Sequence, residues 1–316
     1  MKGREDESVG NLPNEKKSAA LPLMMAAAGH IIWGFSFLFS KVAQQTATAQ
    51  VFLSMRFILA FLMLSVIGVV KKEKLQFRGR NWLPLIALCI TEPLYFYCET
   101  FGIYYTNATF AGVILAVVPV VSMAVSALLL KEYPTRRQKY FSILPVLGVI
   151  IMTAAGQEMG IIEPIGVVLL ICCCLSSALY KTANRGSASQ FSTFERTYYV
   201  IAVCMVVFTI DAFRTVDFSL GAYLAPLSAP TAGSYIFSVL MLSVFCSIVA
   251  GFMVNYAAAR MSVVSLATMG ALMTITAAFA GVVFLNEPVS ALSLAGTVLI
   301  IYGIRQVTRP GNSCES

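Results

Sequence analysis

The chain has 316 residues, of which 58% are hydrophobic and only 12% charged, at a mean hydropathy of +0.80. A soluble globular chain carries about 25% charged residues, so a water-soluble enzyme is excluded, and so is global disorder, which needs low hydrophobicity and high charge. The net charge is +7, but its basic residues fall between long apolar runs instead of on one folded face, which excludes a nucleic-acid binder and leaves a polytopic membrane protein.

A bilayer core of about 30 Å needs about 20 apolar residues per helix, and ten such runs can be read along the chain. Their polarity does not alternate as barrel strands require, so the expected class is all-α. Residues 1–19 mix acidic and basic groups and form a short tail, not a cleavable leader, whose apolar stretch would be shorter than the run that follows. The first span, 20–43, sets His30, Trp33, Gly34, Phe37 and Lys41 on one helical stripe at i, i+3, i+4, i+7 and i+11. His30 is the sole histidine and falls near mid-membrane. There it can bond a substrate, relay a proton or bond a neighbouring helix. No cysteine or carboxylate spacing completes a metal site around it. Trp33 is either a cavity wall or a lipid-facing residue.

The second span, 48–70, carries Arg56 about 13 Å deep. It either pairs with a carboxylate of the next span, satisfying both groups, or holds the carboxylate or phosphate of a substrate on its planar fork. The third span, 82–104, contains TEPLYFYCETFG. Glu92, Tyr95, Phe96 and Glu99 stand at i, i+3, i+4 and i+7, one face of a helix. Glu92 lies about 15 Å from the cytoplasmic edge, and Pro93 removes a backbone donor beside it. Ionisable groups inside a bilayer cost at least about 2.5–3.5 kcal/mol each. Glu92, or else Glu99, is therefore a candidate proton- or cation-exchanging carboxylate beside an aromatic wall. The alternative is a carboxylate permanently paired with a buried cation.

The fourth and fifth spans cover 108–130 and 139–155, and a second group covers 164–181, 193–213, 233–258, 262–285 and 289–306. Lys41 and Lys181, near span ends, are expected to snorkel, and Arg196, beside Glu195, to reach the interface. The longest loop, 214–232, contains Pro226 and Pro230. In the eighth span Ser247, Gly251 and Asn255 repeat at i, i+4 and i+8, a spacing that permits close helix contact. Asn255 with Tyr256 is expected at the inner mouth of a cavity. Glu132 and Glu287 end helices beside loops and suit capping or gate support. Seven of the cysteines fall within spans without a CxxC pair and read as packing residues. Residues 307–316, including Cys314, form a second short tail.

Positive charge in short loops marks the cytoplasmic side. With ten spans and both termini inside, 18 of the 22 Lys and Arg residues fall on that side, against Arg214 alone in the opposite loops. The remaining three, Lys41, Arg56 and Arg196, lie within spans.

The two groups of spans also resemble each other. FSFLFSKVA aligns with LSSALYKTA, pairing Lys41 with Lys181, and Arg56 then pairs with Arg196 at the same offset of 140. LLLKEYP aligns with VFLNEP, pairing Glu132 with Glu287, and Gly148 pairs with Gly303 at an offset of 155. Because each half (20–155 and 164–306) holds an odd number of spans, the second runs through the membrane inverted. Inverted repeats are a structural basis for alternating access around a site near the midplane.

On GHIIWGFSFLFSK, TNATFAGVILAVVPVVSMAVSALLLKEYPTRRQ and MSVVSLATMGALMTITAAFAGVVFLNEPVSALSLAGTVLIIYG, the chain resembles the drug/metabolite transporter superfamily in its EamA-type branch, over about residues 20 to 306. One departure is that Pro119 is matched by Thr274 in the second half. The resemblance implies a ten-helix fold of two five-helix repeats around a central cavity, and export of small metabolites, amino acids or drugs.

There is no P-loop to hydrolyse ATP, and no zinc-protease or nucleophile-elbow motif. An intramembrane lipid-modifying enzyme would need a clustered nucleophile and base, which His30 and Asp211 do not supply. The leading expectation is a secondary transporter without cofactor or metal, with a cavity lined by spans 1, 3, 6 and 8. It would sit in the bacterial cytoplasmic membrane as a monomer or homodimer, with a small-molecule substrate, protons and lipids as partners and no nucleic acid. The second is an exchanger or uptake carrier for an anionic metabolite held by Arg56 and Lys41.

Overall fold

The computed structural model of the protein describes residues 14–73, 75, 79–106, 114–115, 117–154, 163–285 and 291–309. Among these residues every regular element is a helix, joined by short turns and loops. The long helices are α1 (Asn14–Gln44), α2 (Ala49–Val70), α3 (Leu83–Tyr104), α4 (Val118–Leu129), α5 (Ile143–Ala154), α6 (Pro164–Ser187), α7 (Thr193–Thr215), α8 (Ala232–Ala258), α9 (Val263–Phe284) and α10 (Ala291–Thr308). Six of the described helices, α1, α2 and α6 to α9, are long and apolar enough to cross a membrane. The result is a multi-spanning, membrane-like helical bundle.

Local sequence explains several helix boundaries. Ser192 accepts from the Glu195 amide while the Glu195 carboxylate accepts from the Ser192 amide, a reciprocal cap that starts α7. Thr135 and Gln138 do the same for a six-residue helix, Arg136–Phe141, that precedes α5. The fifth predicted span thus begins as a separate short turn, broken at Ser142. Pro164 opens α6, where its missing N–H costs nothing. In α8 the segment Leu242–Val249 is wound as a π-helix, and α9 is interrupted at Gly270.

Each helix turns one face outward. On α3, Leu83, Ile86, Ile90, Leu94 and Tyr97 are exposed and form the stripe opposite Glu92, Tyr95, Phe96 and Glu99. Met24, Leu62, Val66, Val69, Leu128 and Val298 are likewise exposed on other helices. A surface so apolar suits lipid and not water.

Packing follows a regular pattern. Helix α3 lies on α6 as α1 lies on α8, α1 on α9 as α6 on α4, and α3 on α7 as α8 on α2, while α2 meets α7, α4 meets α9 and α5 meets α10. Two glycines govern the last of these contacts. A Cβ on Gly148 would lie 2.6 Å from the Gly296 carbonyl oxygen, and one on Gly303 would lie 2.3 Å from Pro145 Cδ. Only glycine allows α5 and α10 this close.

Candidate functional site

The helices enclose a cavity of about 390 Å³, within the usual range for small-molecule sites. Spans 1, 3, 6 and 8 line it as the sequence suggests, but α2, α4, α5, α7 and α9 contribute as well. At one end it reaches Gln44 at the end of α1, Ala49 at the start of α2 and Thr100 on α3; at the other it is floored by Tyr180, Thr197 and Asn255.

Of the candidate residues, Glu92, Glu99, Tyr95, His30, Trp33, Arg56 and Asn255 all line this cavity. Tyr256 does not. Its ring lies beneath the Arg260 guanidinium, 3.7 Å away, because one residue on from Asn255 turns the side chain about 100° around the helix.

The carboxylate of Glu92 accepts no hydrogen bond and forms no ion pair among the described residues. Its charged neighbours are Lys181, Arg56 and Glu99. The Glu99 carboxylate accepts from the Tyr95 hydroxyl at 2.7 Å. The pairing of Arg56 with either carboxylate, one of its two sequence readings, is not made. Arg56 is instead only 5% exposed, and its Nε donates to Ser247 Oγ at 2.8 Å. Its guanidinium carbon lies 5.2 Å from the Phe57 ring centre and 5.5 Å from that of Phe96.

The π-helical stretch of α8 builds this corner. It aims Ser247 at Arg56, places Ser243 so that its hydroxyl bonds the Arg56 carbonyl at 2.9 Å, and offers the Cys246 carbonyl to Trp33 Nε1 at 2.8 Å. Such windings free backbone acceptors and recur at functional sites. Trp33 is thus fixed as a wall of the cavity, with its ring edge-on to His30 at 5.3 Å. His30 Nδ1 donates to the Ala26 carbonyl of its own helix at 2.7 Å, so no neighbouring helix is needed to satisfy it.

Two expectations for basic residues are corrected. Lys181 does not snorkel to an interface; it lines the cavity with its Nζ bonded to Ser177 Oγ at 2.6 Å, while its repeat partner Lys41 is exposed and outside the cavity. Helix α6 runs on to Ser187, so Lys181 sits nearly two turns inside its end. Arg196 does not reach the interface either, being 1% exposed.

Arg196 instead anchors a polar network beneath the cavity floor. It donates to both oxygens of Asn184 and to the Asn255 carbonyl at 2.8 Å. The Asn255 side chain accepts from Asn184 Nδ2 at 2.5 Å and from the Tyr180 hydroxyl at 3.3 Å, and donates to Thr197 Oγ1 at 2.8 Å. Nearby, Glu132 pairs with Arg185 at 3.0 Å, and Glu195 with Arg80 at 2.7 Å. Glu287 and Cys314 lie outside the described residues. The other seven cysteines are free thiols, and among the described residues no group of His, Cys, Asp and Glu could hold a metal ion.

A bundle of apolar-faced helices around a largely apolar cavity that holds several charged side chains has the architecture expected of a membrane carrier. The profile of the EamA-like transporter family matches residues 20–154 and 164–309, and the chain belongs to that family, within the drug/metabolite transporter superfamily of secondary transporters. Its members are transporters, not enzymes. The chain is 33% identical to the uncharacterized transporter YcxC of Bacillus subtilis (strain 168) over 292 residues, 89% of this chain and 93% of that protein. The uncharacterized transporter YvbV of the same strain is 26% identical over 275 residues, 87% of each chain. One crystal structure superposes with a TM-score of 0.76 over 92% of this chain and 96% of its own, at 15% identity, a likeness of fold alone.

Proposed function

We propose that the protein works by alternating access, as a proton-coupled exporter of small metabolites, amino acids or drugs with Glu92 as the coupling group. One observation carries the reading. A carboxylate deep in the bundle, Glu92, lines the cavity with no hydrogen bond or ion pair among the described residues, while Lys181 and Arg56 stand near enough to act on its charge. A purely structural carboxylate in that position would be bonded, because an unpaired buried charge is costly. An unbonded one can take up a proton and give it back.

The packing supports two inverted five-helix repeats. Adding or subtracting five from each helix number converts α3–α6 into α8–α1, α1–α9 into α6–α4 and α3–α7 into α8–α2, and leaves α2–α7, α4–α9 and α5–α10 unchanged. Gly148 and Gly303, paired by the sequence repeat, serve opposite sides of the same α5–α10 contact. With both termini cytoplasmic, as the loop charges favour, the end at Gln44, Ala49 and Thr100 faces outward. The Asn184–Arg196–Asn255 network then closes the cytoplasmic side. In this reading the protein acts in the bacterial cytoplasmic membrane, as a monomer or homodimer.

The test is reconstitution in vesicles with internal pH followed while amino acids, cationic drugs and nucleosides are added. Substrate-dependent proton movement that Glu92→Gln abolishes is expected. Flux without any pH change, unaltered in that variant, would remove Glu92 from the mechanism.

A further inference from the structure

Arg56 is built as a receptor and left without a ligand. Its Nε is held by Ser247, its backbone carbonyl is bonded by Ser243, and its guanidinium is fixed against Phe57 and Phe96. The side chain is 95% buried, as the 5% exposure implies, and lines the cavity. Yet its two terminal nitrogens donate to nothing among the described residues. A guanidinium held at one edge and free at the other presents a parallel pair of donors, a match for two oxygens of one planar anion. Those free donors open onto the cavity, where an anion would bond both at once.

The rest of the cavity narrows the class of anion. Glu92 and Glu99 line the same space, so a dianion such as a phosphate monoester would meet two like charges. A monoanion meets the smaller repulsion, and Lys181, acting electrostatically on Glu92, offsets part of it. The Phe57 and Phe96 rings beside the Arg56 guanidinium, with Phe52 and Leu53 lining the same cavity, are apolar and suit a hydrocarbon body attached to the charged group.

Resting on the transport reading above, we infer that the transported molecule carries a carboxylate and that Arg56 binds it bidentately, with Ser247 as the positioning residue that aims the fork.

The experiment needs no knowledge of the substrate. Purified protein is treated with phenylglyoxal, which attacks unbonded guanidinium groups, and the peptide containing Arg56 is quantified by mass spectrometry with acetate, benzoate, acetamide, benzamide or inorganic phosphate present. Labelling of Arg56 is expected to fall about fivefold once benzoate reaches about four times its half-protecting concentration, with acetate also protecting and the amides not. In Ser247→Ala the same protection is expected to need a higher benzoate concentration, while thermal stability is compared to confirm folding. No labelling at Arg56, equal protection by amides and acids, or stronger protection by phosphate than by carboxylates would each overturn the inference. These outcomes are separate from the transport reading, which vesicle flux alone decides.

Discussion

Replacing Asn255 by alanine tests whether the network under the cavity floor holds that side shut. The substitution deletes the acceptor used by Asn184 Nδ2 at 2.5 Å and by the Tyr180 hydroxyl at 3.3 Å, and the donor to Thr197 Oγ1 at 2.8 Å. Arg196 keeps its bond to the backbone carbonyl of residue 255, so the arginine itself stays anchored. The bond to Thr197 Oγ1 has an ordinary length, that from Asn184 is short and that from Tyr180 long, and all three partners are buried. At a net of about 1 kcal/mol per bond, loss of the three bonds weakens the closed arrangement by about 3 kcal/mol. A shift of about 3 kcal/mol is more than a hundredfold in a two-state equilibrium. The assay is the thermal midpoint of purified protein in detergent, read beside substrate leak from loaded vesicles. Asn255→Ala is expected to melt earlier and leak faster than wild type. Tyr256→Phe, on the neighbouring face and outside the cavity, should match wild type in both. If Asn255→Ala were as stable and as tight as Tyr256→Phe, the closure assigned to the network would be wrong.

The repeat-paired lysines should behave differently. Lys181→Gln is expected to lower transport at least about tenfold, about 1.4 kcal/mol, and Lys41→Gln to stay within about twofold; equal losses in vesicle flux would sink the distinction between them. Gly303→Ala and Gly148→Ala force a Cβ to 2.3 Å from Pro145 Cδ and to 2.6 Å from the Gly296 carbonyl oxygen, and overpacking of this sort costs about 1–3 kcal/mol. Gly233→Ala, whose Cβ meets nothing within 4 Å, is the control, and a thermal melt in which all three variants coincide would refute the close contact. Because the described cysteines are free, dithiothreitol should leave the melting curve unmoved.

The helices were legible because apolar runs of bilayer length leave few other structures, and the α3 stripe was legible because one helical period places Glu92, Tyr95, Phe96 and Glu99 together. What escaped the sequence depended on lengths and windings that composition does not set. Lys181 looked terminal because the apolar run stops there, whereas α6 continues through the polar residues to Ser187 and carries the lysine inside the bundle. Arg196 was misplaced for a related reason: its partners, Asn184 and Asn255, lie on other helices, and no spacing within α7 announces them. The π-helical turn at Leu242–Val249 has no period of its own in the sequence, so Ser247 read as a packing residue and not as the group that aims Arg56. A more useful signal was available in the repeat: two lysines and two arginines at one offset mark four positions to be tested against each other, whatever their apparent depth.

The central claim is that Glu92 couples proton movement to transport, and the most direct measurement compares two modes of the same variant in vesicles. In Glu92→Gln, uptake or efflux driven by an imposed pH gradient should be lost, while exchange of labelled for unlabelled substrate at equal pH should persist, since exchange needs the cavity and its two openings but no net proton transfer. Loss of both modes together would make Glu92 a binding or structural group, and retention of gradient-driven flux would show that the proton is carried elsewhere.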